Sequence, residues 1–498
     1  MKNIYKSFFI LIALLSGCQK ELTNINVNPN NLESPDINTL TSNVIVSEFW
    51  NSTNNAWTLG NAMSQTVVFS QSYYNGSDGA RFYPVNLGPY WVSCYSNARD
   101  AATIVAQSKK ANKPGNQAVG MALQAFAFTE LTNLWGDIPY KQALQGQAGI
   151  FTVGYDDQQT IYSDPRVGIL ARLSSADSLL ASNPTALISG DVLYGGNVTK
   201  WRKFINALRL RALIRISAKQ DVSAAMQSIA SGGVTFQSAS ESATLPLPAA
   251  GSYIFPSYFD RAGDFSIKVM DSILYNFYVN TGDQARMTLL FNPSPNGAGN
   301  STFSFSNYGG MPQVIDATTT QNKAASTFSD SYNPLKTYLS LPITSSRLIT
   351  YAEVQFILAE AALKGYISGG VSQAQTYYNN GVLGAYAELG LSSSSAAAYL
   401  ANKGTAFNPD PSNNYQAALT QVIMQKWALN LNTGFEGWLE NRRTGIPALS
   451  TKYNQNNGLI SNKFLYPIDE QTINSVNFNN ELKKFPGNKD NINYRAWW

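Results

Sequence analysis

The side chains that most often carry catalysis are sparse in this chain of 498 residues, which contains no histidine. The absence of histidine excludes Ser-His-Asp and Cys-His nucleophiles, the HExxH zinc site and most other zinc chemistry. The sequence also has no GxxxxGK[ST] phosphate loop, GxGxxG turn or GxSxG nucleophile elbow. A pair of catalytic carboxylates, as in glycosidases, is not excluded, because the spacing of acids along the chain does not show which of them face each other in the fold. Asp260 and Asp264 are candidate acids. No DxDxDG calcium loop is present, and we predict no cofactor, no metal site and no enzymatic activity.

One residue with defined chemistry is Cys18, which follows an apolar run near the N-terminus. The run "SFFILIALLS" (7–16) is too short to cross a bilayer, which takes about 20 residues, but it has the length of a secretory h-region. The sequence Leu-Ser-Gly-Cys at its end resembles the bacterial lipobox, in which the cysteine thiol is acylated. We therefore predict a lipoprotein signal peptide at 1–17 and a lipidated cysteine with an extended Asn- and Pro-rich tether at 18–40. The alternative is an incidental cysteine behind an ordinary signal peptide.

The second cysteine, Cys94, has no partner for a disulfide if Cys18 is acylated. It lies in "PYWVSCYSNARDAATIVA", in which Trp91, Tyr95 and Ala98 recur at helical spacing. We therefore predict that Cys94 is a buried, unreactive thiol beside the apolar face of a helix.

The composition is typical of a globular protein with a polar but weakly charged surface. Hydrophobic residues make up 44% of the chain, charged residues make up only 13%, and the net charge is +4. This composition lacks the concentrated basic face that a nucleic-acid partner requires. No segment after the N-terminal run approaches 18 uninterrupted apolar residues, so the lipid on Cys18 is the only membrane attachment that the sequence predicts.

Two helical regions are predicted, with a loop-rich segment at about 231–345 between them. From 41 to about 230 apolar residues recur mostly at helical spacing, and one predicted helix ends at Gly136. The acids of "YDDQQTIYSD" are interpreted as helix caps, beginning with Asp156. Residues 231–345 are rich in Gly, Ser, Asn and Pro, which favours loops with short strands. The helices after this segment contain small residues suited to hairpins of a repeat scaffold, although no 34-residue period is visible.

The chain resembles the SusD/RagB family of outer-membrane nutrient-binding lipoproteins, in particular its SusD-like second subgroup. Each matching segment alone could be an amphipathic helix with a cap, but nine of them follow the family order from end to end. The segment 231–345 matches least well, and this is where ligand contacts are expected. The nine are the lipobox at Cys18, INVNPNN, YWVSCYSNARDA, ELTNLWGDIPYKQAL, GYDDQQTIY, DVLYGGNVTKWRKFINALRLRALIRIS, YAEVQFILAEAAL, QKWALNLNTGFEGWLENRRTGIP and FLYPIDEQTIN.

The resemblance implies a mostly α-helical fold with few short strands, in which tetratricopeptide-like helix pairs frame a loop-rich ligand region. After the signal peptide and tether, residues 41–498 would form a single nutrient-binding domain. The resemblance also implies a partner, a SusC-like TonB-dependent transporter, and a lipid anchor that holds the domain at the outer membrane on the cell surface. The ligand would be a glycan or a peptide that is delivered to the transporter without cleavage.

A surface that captures glycans needs flat apolar faces for sugar rings, and amide and guanidinium groups for hydroxyls, on loops held by a rigid scaffold. Two parts of the chain offer this mixture, residues 56–86 and residues 251–265 together with 305–310. An Asn-Gly-Ser-Asp-Gly turn in the first part indicates an exposed loop tip. Any one of the aromatic residues could instead pack in the core. The candidate ligand-binding residues are Trp57, Tyr73, Tyr74, Asn75, Arg81, Tyr83, Tyr253, Tyr258 and Tyr308.

Other aromatic and charged residues are assigned to the scaffold. Trp135 and Trp438 are predicted to pack in the core. The charges of "WLENRR", namely Glu440, Arg442 and Arg443, could suggest an acid–base or phosphate site, but a structural ion-pair network near a helix end explains them equally well. Three further arginines are predicted to pair with nearby carboxylates: Arg209, Arg211 and Arg215.

Two other functions stay open on the sequence. One is a surface glycan hydrolase, with two carboxylates facing each other across a groove. The other is an adhesive or structural helical-repeat lipoprotein that binds no small nutrient.

Overall fold

In a computed structural model, the chain is described over residues 35–70, 87–247, 251–313, 325–333, 342–452, 455–495 and 497–498. In these ranges it is mostly helical, as the sequence predicts, and its strands are few and short. The α-helices are α1 Ile37–Asn55, α2 Asn61–Met63, α3 Gly88–Lys110, α4 Pro114–Trp135, α5 Gln158–Ser163, α6 Ile169–Ala181, α7 Val198–Ile216, α8 Ser223–Ser231, α9 Ala262–Ser266, α10 Ser272–Thr281, α11 Gln284–Leu290, α12 Tyr351–Leu363, α13 Gly370–Glu388, α14 Ser393–Leu400, α15 Gln416–Leu429, α16 Glu436–Thr444, α17 Ile468–Thr472 and α18 Ser475–Leu482. The strands are β1 Val67–Phe69, β2 Ala243–Leu245, β3 Lys268–Met270 and β4 Ser346–Ile349.

The predicted signal peptide and Cys18 lie outside the described residues. The sequence predicts a tether up to residue 40, whereas α1 begins at Ile37. Its start is fixed by the carboxylate of Asp36, which accepts the backbone N–H groups of Asn38 and Thr39. Within the described ranges, no helix is both long and apolar enough to span a membrane.

Helix hairpins make up the scaffold. α3 and α4 form one hairpin, joined by residues 111–113, and α4 also packs against α6, which in turn contacts α7. A second hairpin, α12 with α13, packs against α15. α7 contacts α12 and so joins the two groups of helices. This is the tetratricopeptide-like arrangement of helix pairs that the family resemblance implies.

Two glycines let α12 and α13 approach each other closely. A Cβ atom at Gly381 would lie 2.5 Å from the ring of Phe356, and one at Gly384 would lie 2.7 Å from the ring of Tyr351. Real Cβ atoms do not approach other atoms this closely, so larger residues would push the helices apart. The small residues needed for this contact are therefore on α13, facing large rings on α12.

Helix ends confirm one predicted boundary and correct one predicted cap. α4 ends at Gly136, which has a φ of 82° and whose carbonyl accepts the hydroxyl of Thr132 at 2.7 Å. The predicted cap at Asp156 is wrong by one residue, because the neighbouring Asp157 caps α5 through the backbone N–H of Thr160 at 2.8 Å. The Asp156 carboxylate instead accepts a backbone N–H from residue 141, so it fixes the chain between α4 and α5.

Two of the three charges of "WLENRR", Glu440 and Arg443, belong to a buried ion-pair network, which is one of the two explanations that the sequence left open. Arg443 lies 2.7 Å from Glu360 and 2.5 Å from Glu440, and Lys426 lies 3.0 Å from Glu440. Burial raises the pKa of the Glu360 carboxyl, but the Arg443 and Lys426 charges outweigh it and bring that pKa below its usual range. Arg442 donates to two backbone carbonyl groups instead. The network therefore connects α12, α15 and α16.

Two of the three arginines singled out on α7 also pair with buried carboxylates. Arg211 lies 2.6 Å from Glu353 of α12, and Arg215 pairs with Glu436 of α16. Arg209 donates to a side-chain amide earlier in its own helix. The first two pairs therefore join α7 to the second helical group.

The described residues bury two main apolar cores. The larger one lies among the helices and contains Trp135 and Trp438, which confirms their predicted place in the scaffold. Cys94 lies in the same core as a free, buried thiol, also as predicted. The second core contains Trp57, and Trp427 of α15 also belongs to it. One face of α15 therefore belongs to the second core.

The loop-rich segment leaves and rejoins the scaffold at one two-stranded ribbon. β2 pairs antiparallel with β4, with Leu245 opposite Ser346, and we call the described residues of the segment between these strands (246–247, 251–313, 325–333 and 342–345) the loop module. β3 of the module pairs antiparallel with β1. The prediction of loops and short strands is incomplete, because the module also contains α9, α10 and α11. α10 has ordinary helix signals, an N-cap at Asp271 and a left-handed Gly282 at its end.

Candidate functional site

The loop module carries an exposed aromatic pair. The short helical turn Pro256–Phe259 leaves Tyr258 52% exposed and Phe259 58% exposed. Their ring centroids lie 6.5 Å apart in an edge-to-face arrangement. The structure thus leaves the predicted ligand-binding residue Tyr258 exposed, together with Phe259, which the sequence analysis did not single out.

The turn that presents this pair is fixed from the inside of the module. Phe255 lies edge-on to the ring of Trp57, with centroids 5.5 Å apart. The hydroxyl of Ser257 donates to the carbonyl of Tyr332 at 2.6 Å. Residues just before and within the turn therefore point inward, and the turn does not need to be ordered by a ligand.

The prediction that Trp57 contacts a ligand requires correction, because this side chain is only 2% exposed. Its ring is stacked on Phe328 with centroids 4.7 Å apart. Its indole N–H donates to Asp260 at 2.8 Å, and the Lys268 ammonium lies 5.3 Å from the centre of the indole ring. Trp57 therefore packs against the buried side of the turn, and its ring has no face exposed at the surface.

Tyr253 lies at the edge of the same module and is half-buried. Its ring is edge-on to Trp50 of α1, with centroids 5.9 Å apart. The indole N–H of Trp50 donates to the carbonyl of Ile254 at 2.9 Å, which fixes this part of the loop on α1. Tyr253 is thus only five residues from Tyr258 along the chain, and part of its ring is accessible.

Tyr308 belongs to a separate group of aromatic residues. It is half-buried, burial raises the pKa of its phenol, and its ring lies 6.0 Å from that of Phe303. Within the described residues, no ring contact joins Tyr308 to Tyr253 or Tyr258. The structure therefore does not bring the three predicted tyrosines into one cluster.

The other predicted ligand-binding residues lie outside the described residues: Tyr73, Tyr74, Asn75, Arg81 and Tyr83. Ser70, directly before this stretch, donates its backbone N–H to the carbonyl of Ile267 at 2.8 Å. This bond connects the end of β1 to the chain between α9 and β3. The described chain before this stretch thus runs beside β3, where Lys268, which is paired with Phe69 of β1, lies 2.7 Å from Asp260 at the end of the turn.

The acids with a raised pKa are buried in the protein. Burial raises the pKa of Glu130 and of Glu388 to about 7 each. Glu130 accepts the hydroxyl of Tyr90 at 2.9 Å. The candidate acid Asp260 is engaged by Trp57 and Lys268. These contacts serve the fold and give no support to the hydrolase alternative. In the described part of the chain, no group of three or more acidic or cysteine side chains could hold a metal ion.

A groove of about 460 Å³ is lined by residues outside the loop module. It lies between α3, α17 and the chain at 142–153. Trp91 and Tyr95 of α3 form part of its floor, with ring centroids 5.0 Å apart. Phe151 at its edge is 75% exposed and Ile473 is 67% exposed. Sequence reasoning missed this groove. The sequence feature that could have indicated it is the short, mostly apolar run "IFTV" between two glycines, which is unusual for a loop.

A model of one protein family matches residues 29–467, and that family is described as starch-binding and associating with the outer membrane. No curated protein sequence matches the chain.

Solved structures are similar to the chain over nearly its whole length. An outer membrane protein from Bacteroides vulgatus, associated with nutrient binding, is 26% identical with a TM-score of 0.79, covering 93% of this chain and 100% of that one. A SusD homolog from Bacteroides fragilis is 25% identical with a TM-score of 0.78, covering 93% of this chain and 99% of that one. A chitin-binding SusD homolog from Flavobacterium johnsoniae is 20% identical with a TM-score of 0.75, covering 92% and 98%. At 20% identity this last similarity concerns the fold.

Proposed function

The chain belongs to the SusD-like family, which is described as starch-binding and associating with the outer membrane, and we propose that it captures a glycan and delivers it to a SusC-like TonB-dependent transporter. It does so without cleaving the glycan. A lipid on Cys18 anchors it to the outer membrane, with the nutrient-binding domain on the cell surface. Several acyl chains anchor a protein stably where one chain binds only marginally.

The exposed pair of Tyr258 and Phe259 is the observation that carries the proposal. Aromatic rings offer flat apolar area to the C–H faces of sugars. The turn is already held by buried contacts, so little conformational entropy is lost when a ligand binds. Tyr253 and Tyr308 are proposed as further contacts.

The proposed site also includes residues of the stretch that follows Ser70. Aromatic rings there would extend the apolar face, and amide and guanidinium groups would donate hydrogen bonds to sugar hydroxyls. The path of the described chain up to Ser70 supports this part of the proposal. The residues are Tyr73, Tyr74, Asn75, Arg81 and Tyr83.

A glycan is the proposed class of nutrient, rather than a peptide. The family is described as starch-binding, and a relative of the same fold from Flavobacterium johnsoniae binds chitin. Starch and chitin are both chains of pyranose rings, for which exposed aromatic faces are suited. A peptide ligand and an adhesive protein without a small ligand are the alternatives that the experiment must separate.

The test is calorimetric titration of the full mature chain carrying Cys18→Ser. The ligands are maltooligosaccharides, chitooligosaccharides and a mixture of peptides, and the same samples are assayed for cleavage products. We expect saturable binding of one glycan class and no products. Preferential peptide binding, or cleavage of the glycan, would contradict the proposal.

The double substitution Tyr258→Ala/Phe259→Ala tests the site. Both rings are exposed, so we expect the fold to be retained and the affinity to fall about tenfold, since an aromatic contact contributes about 0.5–1.5 kcal/mol. Leu187→Ala is the matched control, because Leu187 is 84% exposed and lies between α6 and α7. Equal affinities of the double variant and the control would place the glycan elsewhere, with the groove at Phe151 as the next site to test.

A further inference from the structure

A cavity of about 480 Å³ lies beside α4 and α6, away from the loop module. Three cationic side chains line it, Lys141, Arg166 and Arg172, together with a single carboxylate, that of Asp164. The cavity therefore has a net charge of +2. Only 13% of all residues in the chain are charged, so this concentration of one sign is not a general property of the surface.

The single carboxylate is already occupied. Asp164 accepts the backbone N–H groups of Arg166 and Val167 at 2.9 and 3.2 Å, and Lys141 lies 3.1 Å away. These hydrogen bonds lower the pKa of Asp164 to about 2, so it stays ionised at neutral pH. One of the three cations is thus neutralised within the cavity wall, and the other two are not.

The two arginines keep unused donors. Arg172 donates from Nη1 to Gln124 at 2.5 Å, but Gln124 is a neutral amide and leaves the guanidinium charge uncompensated. Arg166 has an exposed side chain for which the described residues contain no hydrogen-bond or ion-pair partner. A planar guanidinium is suited to bidentate binding of a carboxylate.

Another part of the cavity lining is apolar and neutral. The rings of Phe128 and Tyr140 lie edge to face with centroids 4.7 Å apart, and Leu144 lies beside them. The Tyr140 hydroxyl donates to the carbonyl of Val167. Burial raises the pKa of this phenol, although the nearby Arg172 opposes the shift, so Tyr140 contributes no charge.

We propose that this cavity binds an acidic sugar, with the sugar carboxylate on Arg166 and Arg172 and the sugar ring against Leu144 and the small parts of Phe128 and Tyr140 that the cavity exposes. Charge-assisted hydrogen bonds supply the selectivity for the carboxylate, and the apolar wall supplies the contact area for the ring. This site extends the proposed function to a second, chemically different ligand group. It shares no residue with the aromatic pair at Tyr258 and Phe259.

The test compares D-glucuronate with D-glucose, two probes that differ in the carboxylate, by ligand-observed NMR with the Cys18→Ser chain. We expect glucuronate to bind at least tenfold more tightly than glucose, and the difference to shrink when the salt concentration rises from 50 to 500 mM. Arg166→Ala should reduce the glucuronate affinity about tenfold, because a hydrogen bond to a charged group contributes about 1.5–3 kcal/mol. Lys219→Ala, at an exposed lysine after α7, is the matched control and should have no effect.

Three results would overturn the inference: equal binding of glucuronate and glucose, glucuronate binding unaffected by Arg166→Ala, or inorganic sulfate or acetyl-glycyl-glycine binding as tightly as glucuronate. Arg166 is exposed, so Arg166→Ala should unfold at the same temperature as the parent chain, which excludes loss of fold as a cause. The Tyr258→Ala/Phe259→Ala variant should bind glucuronate normally. A failure of the proposed neutral-glycan site is thus distinguishable from a failure of this one.

Discussion

Trp57 acts on the proposed binding surface indirectly, through the hydrogen bond that it donates to Asp260. The Asp260 carboxylate also lies 2.7 Å from the ammonium of Lys268, which is 1% exposed. Burial lowers the pKa of Lys268, and the Asp260 charge opposes the shift. Asp260 follows directly on the exposed pair, so one carboxylate fixes the end of the turn and compensates a buried cation.

At the residue scale, Asp260→Ala should lower the free energy of unfolding by about 2–4 kcal/mol, since Lys268 and the Trp57 indole both lose an acceptor. Urea denaturation of the purified chain measures this loss. Glycan affinity should fall with it, because the turn is no longer held. Asp264→Ala is the control and should change stability by less than about 0.5 kcal/mol. A glycan hydrolase that used Asp260 would behave differently, since the unsubstituted chain would release cleavage products and Asp260→Ala would abolish them.

How far single residues can be predicted from the sequence depends on where their contacts lie. Tyr258 was a candidate on composition alone, because the sequence does not show that Phe255 next to this turn is buried while Tyr258 is exposed. The burial of Trp57 was not predictable, because its partners Phe328 and Tyr332 are far away along the chain. The cavity at Arg166 also depends on contacts between residues that are far apart along the chain, since it forms only where α4 and α6 pack together.

At the element scale, helix ends follow local rules and were partly predictable. Gly136 ends α4 as predicted, because a glycine can adopt the positive φ of this helix end, and this is a local signal. Asp271 and Gly282 supply equally local signals for α10, but they stand in a Gly- and Asn-rich segment whose overall composition favours loops. The packing of α12 on α13 was less accessible, since sequence alone does not show which ring faces Gly381.

The cap of α10 should make stability depend on pH. Burial raises the pKa of Asp271 to about 7, above its ordinary value near 4, although its hydrogen bonds oppose the shift. The folded state then holds a proton that the unfolded state releases, so this contribution is full below pH 4 and is lost as the pH rises through 7. Asp271→Asn removes the titration and keeps an oxygen for the backbone N–H of Ile273, which Asp271 now accepts at 2.8 Å.

Relative to the parent chain, Asp271→Asn should therefore gain stability between pH 5 and pH 8. The gain should be on the order of 2 kcal/mol, since each pKa unit corresponds to about 1.4 kcal/mol. Urea denaturation at several pH values measures it. Asp271→Ala also removes the cap and should be less stable than Asp271→Asn by about 1 kcal/mol at every pH. A constant difference between Asp271→Asn and the parent chain would show that Asp271 does not titrate in this range.

At the scale of the whole molecule, the loop module and the helical scaffold share structural elements. Trp427 of α15 lies in the core of the module, and its indole N–H donates to the carbonyl of Ser64 at 3.0 Å. The same helix packs against α12 of the scaffold. The ribbon of β2 and β4 adds a second connection. Neither part can lose its structure without exposing apolar surface of the other, so they should unfold together.

This coupling predicts how a ligand on the module affects the scaffold. In the Cys18→Ser chain, far-UV circular dichroism reports mainly on the helices, and we expect one transition at the same temperature as the calorimetric one. A glycan at 100 times its Kd stabilises the folded state by about 2.7 kcal/mol, which should raise that single transition by a few degrees. The Tyr258→Ala/Phe259→Ala variant should show a smaller shift at the same glycan concentration. Two transitions, of which the glycan raises only one, would mean that the module unfolds independently and that the shared core around Trp427 does not couple the two parts.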